Sequence, residues 1–344
     1  MEFKIRAITL ALPELNERSL EVARRLREIK VEAEVWSYRI ALAFSKYSQR
    51  LFKEVSTFAE EAGFDYFSIP LSIEENLREV CEELSSYENL FASFNIPKLE
   101  LRQIPQLAEK YYQALNFLRK QGDYLTQCRI ALVSGGPIET PYFPAAACIS
   151  RKPVLMGALL YAKYLCSQGD IVEKIKSAGK VCLKILEKIS YEIGIDVSGV
   201  DLSISPWMEE SVVPLVASSG GSISLYKILS LNKVIEEVSA EIKSCGFNEL
   251  MLPLAEDNEL KRLVAEDTLK ARDFIRFCVA CVAGVDMVLL PGASKEEIVE
   301  YIKECLAAAV IKRKPIGFRL IYTDAEPGDF IELGKFSTTP VVEL

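Results

Sequence analysis

Histidine is absent from this 344-residue sequence. Without an imidazole the chain has no Ser-His-Asp triad, no histidine-ligated metal and no histidine acting as general acid or base. Nine cysteines are present, but only Cys278 and Cys281 have Cys-x-x-Cys spacing, and they lie in an apolar, helix-like run. Because a structural zinc site needs four such ligands, we expect no metal site. The sequence specifies no cofactor.

Long apolar runs are also lacking. No run reaches the roughly 18 residues of a membrane-spanning helix, so we expect no membrane partner. The N-terminal residues MEFKIRAITLALPEL have a short apolar stretch interrupted by Lys4 and Arg6, which indicates a first strand rather than a secretion signal. An odd number of cysteines without such a signal indicates reduced thiols, so we expect a cytoplasmic protein.

The charge balance argues against nucleic acid as a main partner. The net charge is −8 and the pI is about 5.1, whereas binding to phosphates requires clustered Lys and Arg. Half of the residues are hydrophobic and the mean hydropathy is +0.14. This apolar excess predicts a large core, with part of the surface buried between subunits of a homo-oligomer.

Strand-like and helix-like segments alternate along the whole chain, and several strands are almost continuously apolar. That pattern is typical of an α/β fold whose strands are covered by helices on both faces. No linker interrupts it, so we expect one domain over residues 1–344. The predicted strands are 3–12, 31–42, 64–70, 90–95, 129–134, 199–205, 249–254, 285–290, 316–323 and 329–333. Residues 153–168 are predicted as a helix.

The candidate site centres on the segment DLSISP. Alternation along a strand places Asp201, Ser203 and Ser205 on one face. A polar strand face in an α/β core either lines a pocket, with Asp201 as general base or ligand contact, or forms a hydrogen-bonded structural network. Both interpretations are open from the sequence.

Two further segments follow in the same part of the chain. In SSGGS, backbone N–H groups near Ser219, Gly220 and Gly221 could bind an anion, or the segment could be a tight turn between helices. Glu256 follows an apolar strand, where a carboxylate could be a general base. The acids after it, Asp257 and Glu259, equally suit the first turn of a helix.

The segment 135–153 is long and rich in Pro, Gly and small residues, and such loops are often functional. Glu139 and Tyr142 could close over a site, or the loop could plug the fold or contact another subunit. Arg6 and Arg39 lie on predicted strands and could bind a carboxylate or form structural ion pairs. Cys148 has no histidine to activate it, which argues against a nucleophilic role.

Five segments, in order, resemble one known family. They are FKIRAITLAL, GIDVSGVDLSISP, GFNELMLPLAEDNEL, CVAGVDMVLLPG and EPGDFIELGKFSTTPVVEL. Together they are similar to the uncharacterised DUF711 (UPF0210) family, most strongly over residues 190–344 and in the first ten residues. The chain is similar to the shorter archaeal branch of this family, including the TPYFPAA loop of that branch. The family's recurring positions fall on Asp201, Ser203, Gly220, Pro253, Glu256, Cys281, Gly284, Asp286, Gly328, Asp329, Gly334 and Pro340.

The resemblance implies a single ten-stranded β/α barrel of the pyruvate formate-lyase-like type. It does not imply radical chemistry, because the C-terminal IELGKFSTTPVV lacks the glycyl radical motif and Gly334 lacks its flanking sequence. Bacterial relatives have Gly-Thr-His-Gly where this chain has Ser-Ser-Gly-Gly, so any role of that histidine is not shared.

These observations predict an enzyme, or a descendant of one, that acts on a small polar or anionic metabolite. Asp201 or Glu256 would be the base, and Ser203, Ser205, Ser219, Gly220, Gly221, Glu139, Tyr142, Arg6 and Arg39 would contact the ligand. The alternative is a non-catalytic metabolite-binding or assembly protein. The absence of histidine favours that alternative.

Overall fold

The computed structural model describes residues 2–344 and is built around one ten-stranded sheet. The strands are β1 (Lys4–Leu12), β2 (Tyr38–Leu42), β3 (Tyr66–Ser72), β4 (Leu90–Ile96), β5 (Ile130–Ser134), β6 (Val154–Leu160), β7 (Asp196–Asp201), β8 (Met251–Pro253), β9 (Ala283–Leu290) and β10 (Ile316–Tyr322). Their order is β7-β6-β1-β2-β3-β4-β5-β10-β9-β8. The predicted α/β class, with a large and mostly parallel sheet, is confirmed.

The first five strands run in one direction and the last five run in the other. Within each group the paired strands are parallel. The groups meet at two antiparallel junctions, where Leu10 of β1 faces Leu155 of β6 and Leu132 of β5 faces Phe318 of β10. Two isolated parallel bridges, at Val200 and at Ile204, connect the end of β7 and the residues after it to the segment before β8.

Helices connect the strands. They are α1 (Glu17–Glu28), α2 (Gln49–Ala62), α3 (Leu77–Leu84), α4 (Ile104–Lys120), α5 (Tyr124–Gln127), α6 (Ala162–Cys166), α7 (Ile171–Ile193), α8 (Val213–Val216), α9 (Leu225–Ser239), α10 (Asn258–Ala265), α11 (Ala271–Cys278) and α12 (Lys295–Lys312). Ser294 and Glu297 form a reciprocal capping box at the start of α12. Among the helices of residues 2–344, none combines the length and the apolar character that crossing a bilayer requires.

The predicted helix 153–168 is wrong, because its first half is strand β6. All seven residues of β6 are buried between β1 and β7. Such a short, continuously apolar run has no periodicity to separate a strand from a buried helix. The strand also packs closely under α7, since a β-carbon on Gly157 would lie 2.7 Å from Cys182 Sγ.

The predicted strand 329–333 lies outside the main sheet. Its central residues form β11 (Phe330–Glu332), which pairs antiparallel with β12 (Thr338–Pro340) in a separate two-stranded sheet. We call residues 330–340 the C-terminal hairpin. A short 3₁₀ turn between its strands contains Lys335 and Phe336. This hairpin brings both side chains to the cavity described next.

Candidate anion-binding cavity

One face of the sheet surrounds a cavity of about 80 Å³. Eight strands contribute to its lining, each through at least one residue: Arg6, Arg39, Tyr66, Phe91, Ala131, Met251, Asp286 and Arg319. β1 is the third strand in the sheet order and β8 the tenth. Neighbouring strands lie about 4.8 Å apart, so a flat sheet could not bring these residues around one small space. The sheet therefore curls around the cavity.

A chain of buried ion pairs crosses the cavity wall. Glu256 accepts hydrogen bonds from Arg6 at 2.6 Å and from Arg319 at 3.1 Å. Arg319 also binds Asp286, with its Nη2 2.8 Å from Oδ2. Burial opposes ionisation of Glu256, but Arg319 and Arg6 outweigh it and hold the pKa of this carboxyl below its ordinary value. The two cavity carboxylates are thus compensated by two arginines.

Arg39 differs from these arginines because no carboxylate pairs with it, and only the more distant charge of Glu256 attracts it. Its side chain donates only to the Ser37 hydroxyl at 2.9 Å and to the Pro141 carbonyl at 3.3 Å. Within residues 2–344, no carboxylate oxygen lies within 4.0 Å of its nitrogens. The residue is only 7% exposed. Burial, together with repulsion from Arg6, lowers the pKa of Arg39 to about 10, so it remains a cation at neutral pH.

A second cation reaches the cavity from the C-terminal hairpin. Lys335 Nζ donates to the Tyr66 hydroxyl at 3.2 Å and lies 4.3 Å from the centroid of the Tyr66 ring. Arg39 approaches the same ring, with Cζ 5.9 Å from its centroid. Lys335 is exposed, whereas Arg39 is buried. Tyr66 therefore contacts both a buried inner cation and an exposed outer cation.

Aromatic side chains form the remaining walls. Trp36 and Trp207 pack against each other with ring centroids 4.4 Å apart, and the guanidinium of Arg6 lies 5.0 and 5.8 Å from those centroids. Ser205 lines the cavity, and its hydroxyl makes no hydrogen bond within residues 2–344, so it is available to a ligand. Tyr142 also lines it, but its hydroxyl already donates to the Ser203 carbonyl at 2.9 Å.

Asp201 and Ser203 lie behind the wall of the cavity and do not line it. The Asp201 carboxylate accepts five hydrogen bonds, from the hydroxyls of Thr140 and Ser203 and from the backbone N–H groups of Ser203, Phe247 and Asn248. Of the two interpretations of this strand face, the geometry at Asp201 and Ser203 corresponds to the hydrogen-bonded network. Burial raises the pKa of Asp201, although these donors oppose the shift.

Ser219, Gly220 and Gly221 are exposed in a turn between α8 and α9 and do not line the cavity. The N–H group of Gly221 donates to the Ser218 carbonyl at 3.0 Å, within the turn itself. These residues therefore form a tight turn between helices, which is the second of the two interpretations of this segment, and not an anion-binding site. Gly221 has φ +82°, a backbone conformation that glycine adopts without strain, which explains why a glycine occupies this position.

Glu139 fastens the loop between β5 and β6 and likewise lies outside the cavity. Its carboxylate accepts from the hydroxyls of Ser198 and Ser150 and from the N–H groups of Ile149 and Ser150. Burial acts against the charged form, yet these hydrogen bonds lower the pKa of Glu139 overall. The loop begins after β5 and ends before β6, as predicted, and its residues 142–145 line the cavity.

Three important side chains were missed by the sequence predictions. Arg319 lies in the apolar strand IGFRLIY, so the reasoning applied to Arg6 and Arg39 would have found it. Tyr66 and Lys335 gave no such signal. Lys335 is on an exposed turn, and its approach to Tyr66 joins residues 269 positions apart.

The cysteines and carboxylates do not form a metal centre. Within residues 2–344, no three Cys, Asp or Glu side chains are grouped so that they could hold an ion. Cys278 and Cys281 are buried in packing contacts. Burial, reinforced by Glu139, raises the pKa of the Cys148 thiol to about 12, which leaves it protonated and unreactive at neutral pH.

Comparison with known proteins identifies one family. The family described as Uncharacterised ACR (DUF711) matches residues 51–334. A UPF0210 protein of Sulfurisphaera tokodaii is 25% identical over 232 residues, covering 60% of this chain and 52% of the relative. UPF0210 proteins of Pyrobaculum aerophilum and Methanopyrus kandleri are 30% and 29% identical, each over 46% of this chain and over 38% and 37% of their own lengths. The chain thus spans about half the length, or less, of these relatives.

Proposed function

This chain belongs to the DUF711 family, and we propose that its cavity binds a small anionic metabolite through Arg39. One observation carries the proposal: a buried guanidinium lines the cavity without a carboxylate to compensate it. Burying an uncompensated charge is costly, and a planar carboxylate or a phosphate oxygen pair would remove that cost by binding the guanidinium fork. The free hydroxyl of Ser205 supplies a further donor.

Binding is better supported than catalysis by a carboxylate base. Glu256 is paired with Arg6 and Arg319, and Asp286 with Arg319, so ion pairs within the wall engage both carboxylates. Asp201 is fully engaged behind the wall. No cysteine lies among the lining residues, which supports a site without radical chemistry.

Catalysis on the bound anion is a second candidate, favoured by Tyr66. Its hydroxyl accepts a hydrogen bond from Lys335, and no other partner uses the hydroxyl proton within residues 2–344. A tyrosine so placed can donate a proton to a ligand in the cavity. Loss of turnover in Tyr66→Phe at a saturating concentration of an identified ligand would support this candidate.

The proposal includes the architecture of the whole chain. The lining by eight strands and the two bridges near Val200 and Ile204 support a closed ten-stranded barrel of the pyruvate formate-lyase-like type, formed by residues 1–344 as one domain. Two five-stranded groups of opposite direction suit such a barrel. A cytoplasmic location and a homo-oligomer stay predictions from composition.

The test is a comparison of anion binding between wild type and Arg39→Gln. Inorganic phosphate, butyrate and succinate are titrated by calorimetry at fixed ionic strength, and native mass spectrometry of the purified protein shows any retained ligand. We expect at least one anion to bind wild type and Arg39→Gln to lose it. Arg18→Gln, at an exposed helix position, is the matched control. If Arg39→Gln binds the anion as tightly as Arg18→Gln does, the proposal is overturned.

A further inference from the structure

We infer that the ligand is a short aliphatic dicarboxylate, held at one end by Arg39 and at the other by Lys335 and Tyr66. This inference rests on the proposed anion-binding function and adds a second pole to it. Its basis is the charge inventory of the cavity, the arrangement of two cations around one ring, and the space between them.

The cavity has two positive charges more than it has negative ones. Four cations line it, namely Arg6, Arg39, Arg319 and Lys335, together with two carboxylates, Glu256 and Asp286. The carboxylates pair with Arg6 and Arg319. Within residues 2–344, no carboxylate lies within 4.0 Å of Arg39 or of Lys335. A ligand with two negative charges would balance the site, and partial burial strengthens each attraction.

The two uncompensated cations lie close enough together to bind two acidic groups of one small molecule. Arg39 Cζ lies 5.9 Å, and Lys335 Nζ 4.3 Å, from the Tyr66 ring centroid, which together set an upper limit of about 10 Å between the two cations. A carboxylate oxygen lies about 2.8 Å from Nζ in a charge-assisted hydrogen bond and about 4 Å from the guanidinium Cζ, which leaves at most roughly 3–4 Å between the two carboxylates of the ligand. A four-carbon dicarboxylate fits this span better than a longer one.

The outer pole has two donors for one carboxylate. Lys335 contributes an ammonium, and Tyr66 contributes the hydroxyl proton that its contact with Lys335 leaves unused. The walls between the poles are apolar, since Phe91 and Phe336 contact the region around Lys335. Apolar walls favour methylene groups next to the outer carboxylate of the ligand.

Succinate and butyrate test the second pole, because they share a four-carbon chain and differ in one carboxylate. Both are titrated by calorimetry at pH 7.5 and constant ionic strength, which fixes the screening of charge. In wild type we expect succinate to bind at least about tenfold more tightly than butyrate, the effect of one charged hydrogen-bonding group. Lys335→Gln should abolish that preference and leave butyrate binding unchanged, and Arg39→Gln should weaken both. Lys46→Gln, an exposed lysine elsewhere, is the control.

Every other outcome would overturn either part of this inference or the proposed function. Equal affinities for succinate and butyrate in wild type would overturn the dicarboxylate and leave the anion site standing. A succinate preference that survives Lys335→Gln would overturn the assignment of the second pole. Tighter binding of inorganic phosphate than of succinate would replace the dicarboxylate by a compact anion at Arg39. Failure of all three anions to bind wild type would overturn the proposed function itself.

Discussion

Gly246 lies directly against the carboxylate of Asp201: a β-carbon on Gly246 would lie 2.8 Å from Asp201 Cγ and would overlap the carboxylate oxygen. The backbone of residues 246–248 wraps around this carboxylate, which accepts hydrogen bonds from the N–H groups of Phe247 at 2.9 Å and Asn248 at 3.0 Å. Phe247 in turn lines the cavity. Asp201 thereby positions part of the cavity wall without contacting the ligand space.

Gly246→Ala should therefore be strongly destabilising. The backbone there has φ +76°, which costs an L-residue about 1–2 kcal/mol, and displacement of the buried carboxylate adds to this, for a total of roughly 3 kcal/mol. Gly194→Ala is the matched control, since φ is +72° and no atom lies within 4 Å of its new β-carbon. Chemical denaturation measures both, and similar losses would show that the Asp201 contact is unimportant.

Asp201→Asn should lower stability while leaving anion binding to the cavity almost intact. An amide cannot accept five hydrogen bonds as a carboxylate does, and we expect a loss of about 3 kcal/mol in the free energy of unfolding. Asp196→Asn, exposed on the same strand, should change stability by less than about 0.5 kcal/mol. Abolished binding with unchanged stability would instead restore Asp201 as a ligand contact or base.

Glu256→Gln should destabilise the protein at neutral pH by about 3–5 kcal/mol, because it leaves Arg6 buried without its partner. The pKa of Glu256 is lowered in the folded state. Its stabilisation is therefore complete above the ordinary value of 4.5 and is lost as the pH falls through the lower, folded-state value.

Unfolding free energies of wild type and Glu256→Gln between pH 3 and pH 7 measure this effect. The difference between them should narrow below about pH 4.5, the ordinary value. Glu60→Gln, at an exposed helix position, corrects for the change in net charge. A difference that widens in acid would contradict the ion-pair assignment of Glu256.

Alkylation of the native protein should modify Cys166 before Cys148. Cys166 is exposed, whereas Cys148 is buried and has a pKa raised to about 12 by burial and by Glu139. Iodoacetamide treatment followed by peptide mapping measures the order. Rapid labelling of Cys148 in a Cys166→Ser variant, which lacks the competing thiol, would support a nucleophilic role for Cys148.

Much of the local structure could be predicted from the sequence. The predicted strands 90–95, 129–134 and 316–323 agree with β4, β5 and β10, because an apolar run and the turn residues that bound it are local properties. The loop between β5 and β6 was bounded correctly for the same reason. The helix predicted over residues 153–168 is wrong because a seven-residue apolar run does not distinguish a strand buried between two others from a buried helix.

The cavity could be predicted only in part. Arg6 and Arg39 were candidates because they are charged residues inside apolar strands, and both line the cavity. Period-two alternation grouped Asp201, Ser203 and Ser205, yet only Ser205 lines the cavity. β7 ends at Asp201, so the residues after it leave the regular strand and no longer follow a strict alternation.

The sequence by itself determined the alternation of strands and helices, the burial of both sheet faces and the presence of cations in apolar strands, since each depends on near neighbours. The tertiary structure alone decided which cations are compensated. Arg6 pairs with Glu256, 250 residues away, while Arg39 has no carboxylate within reach. Charge compensation falls off with distance in space, and only the folding of the sheet sets the distance between residues so far apart in the chain.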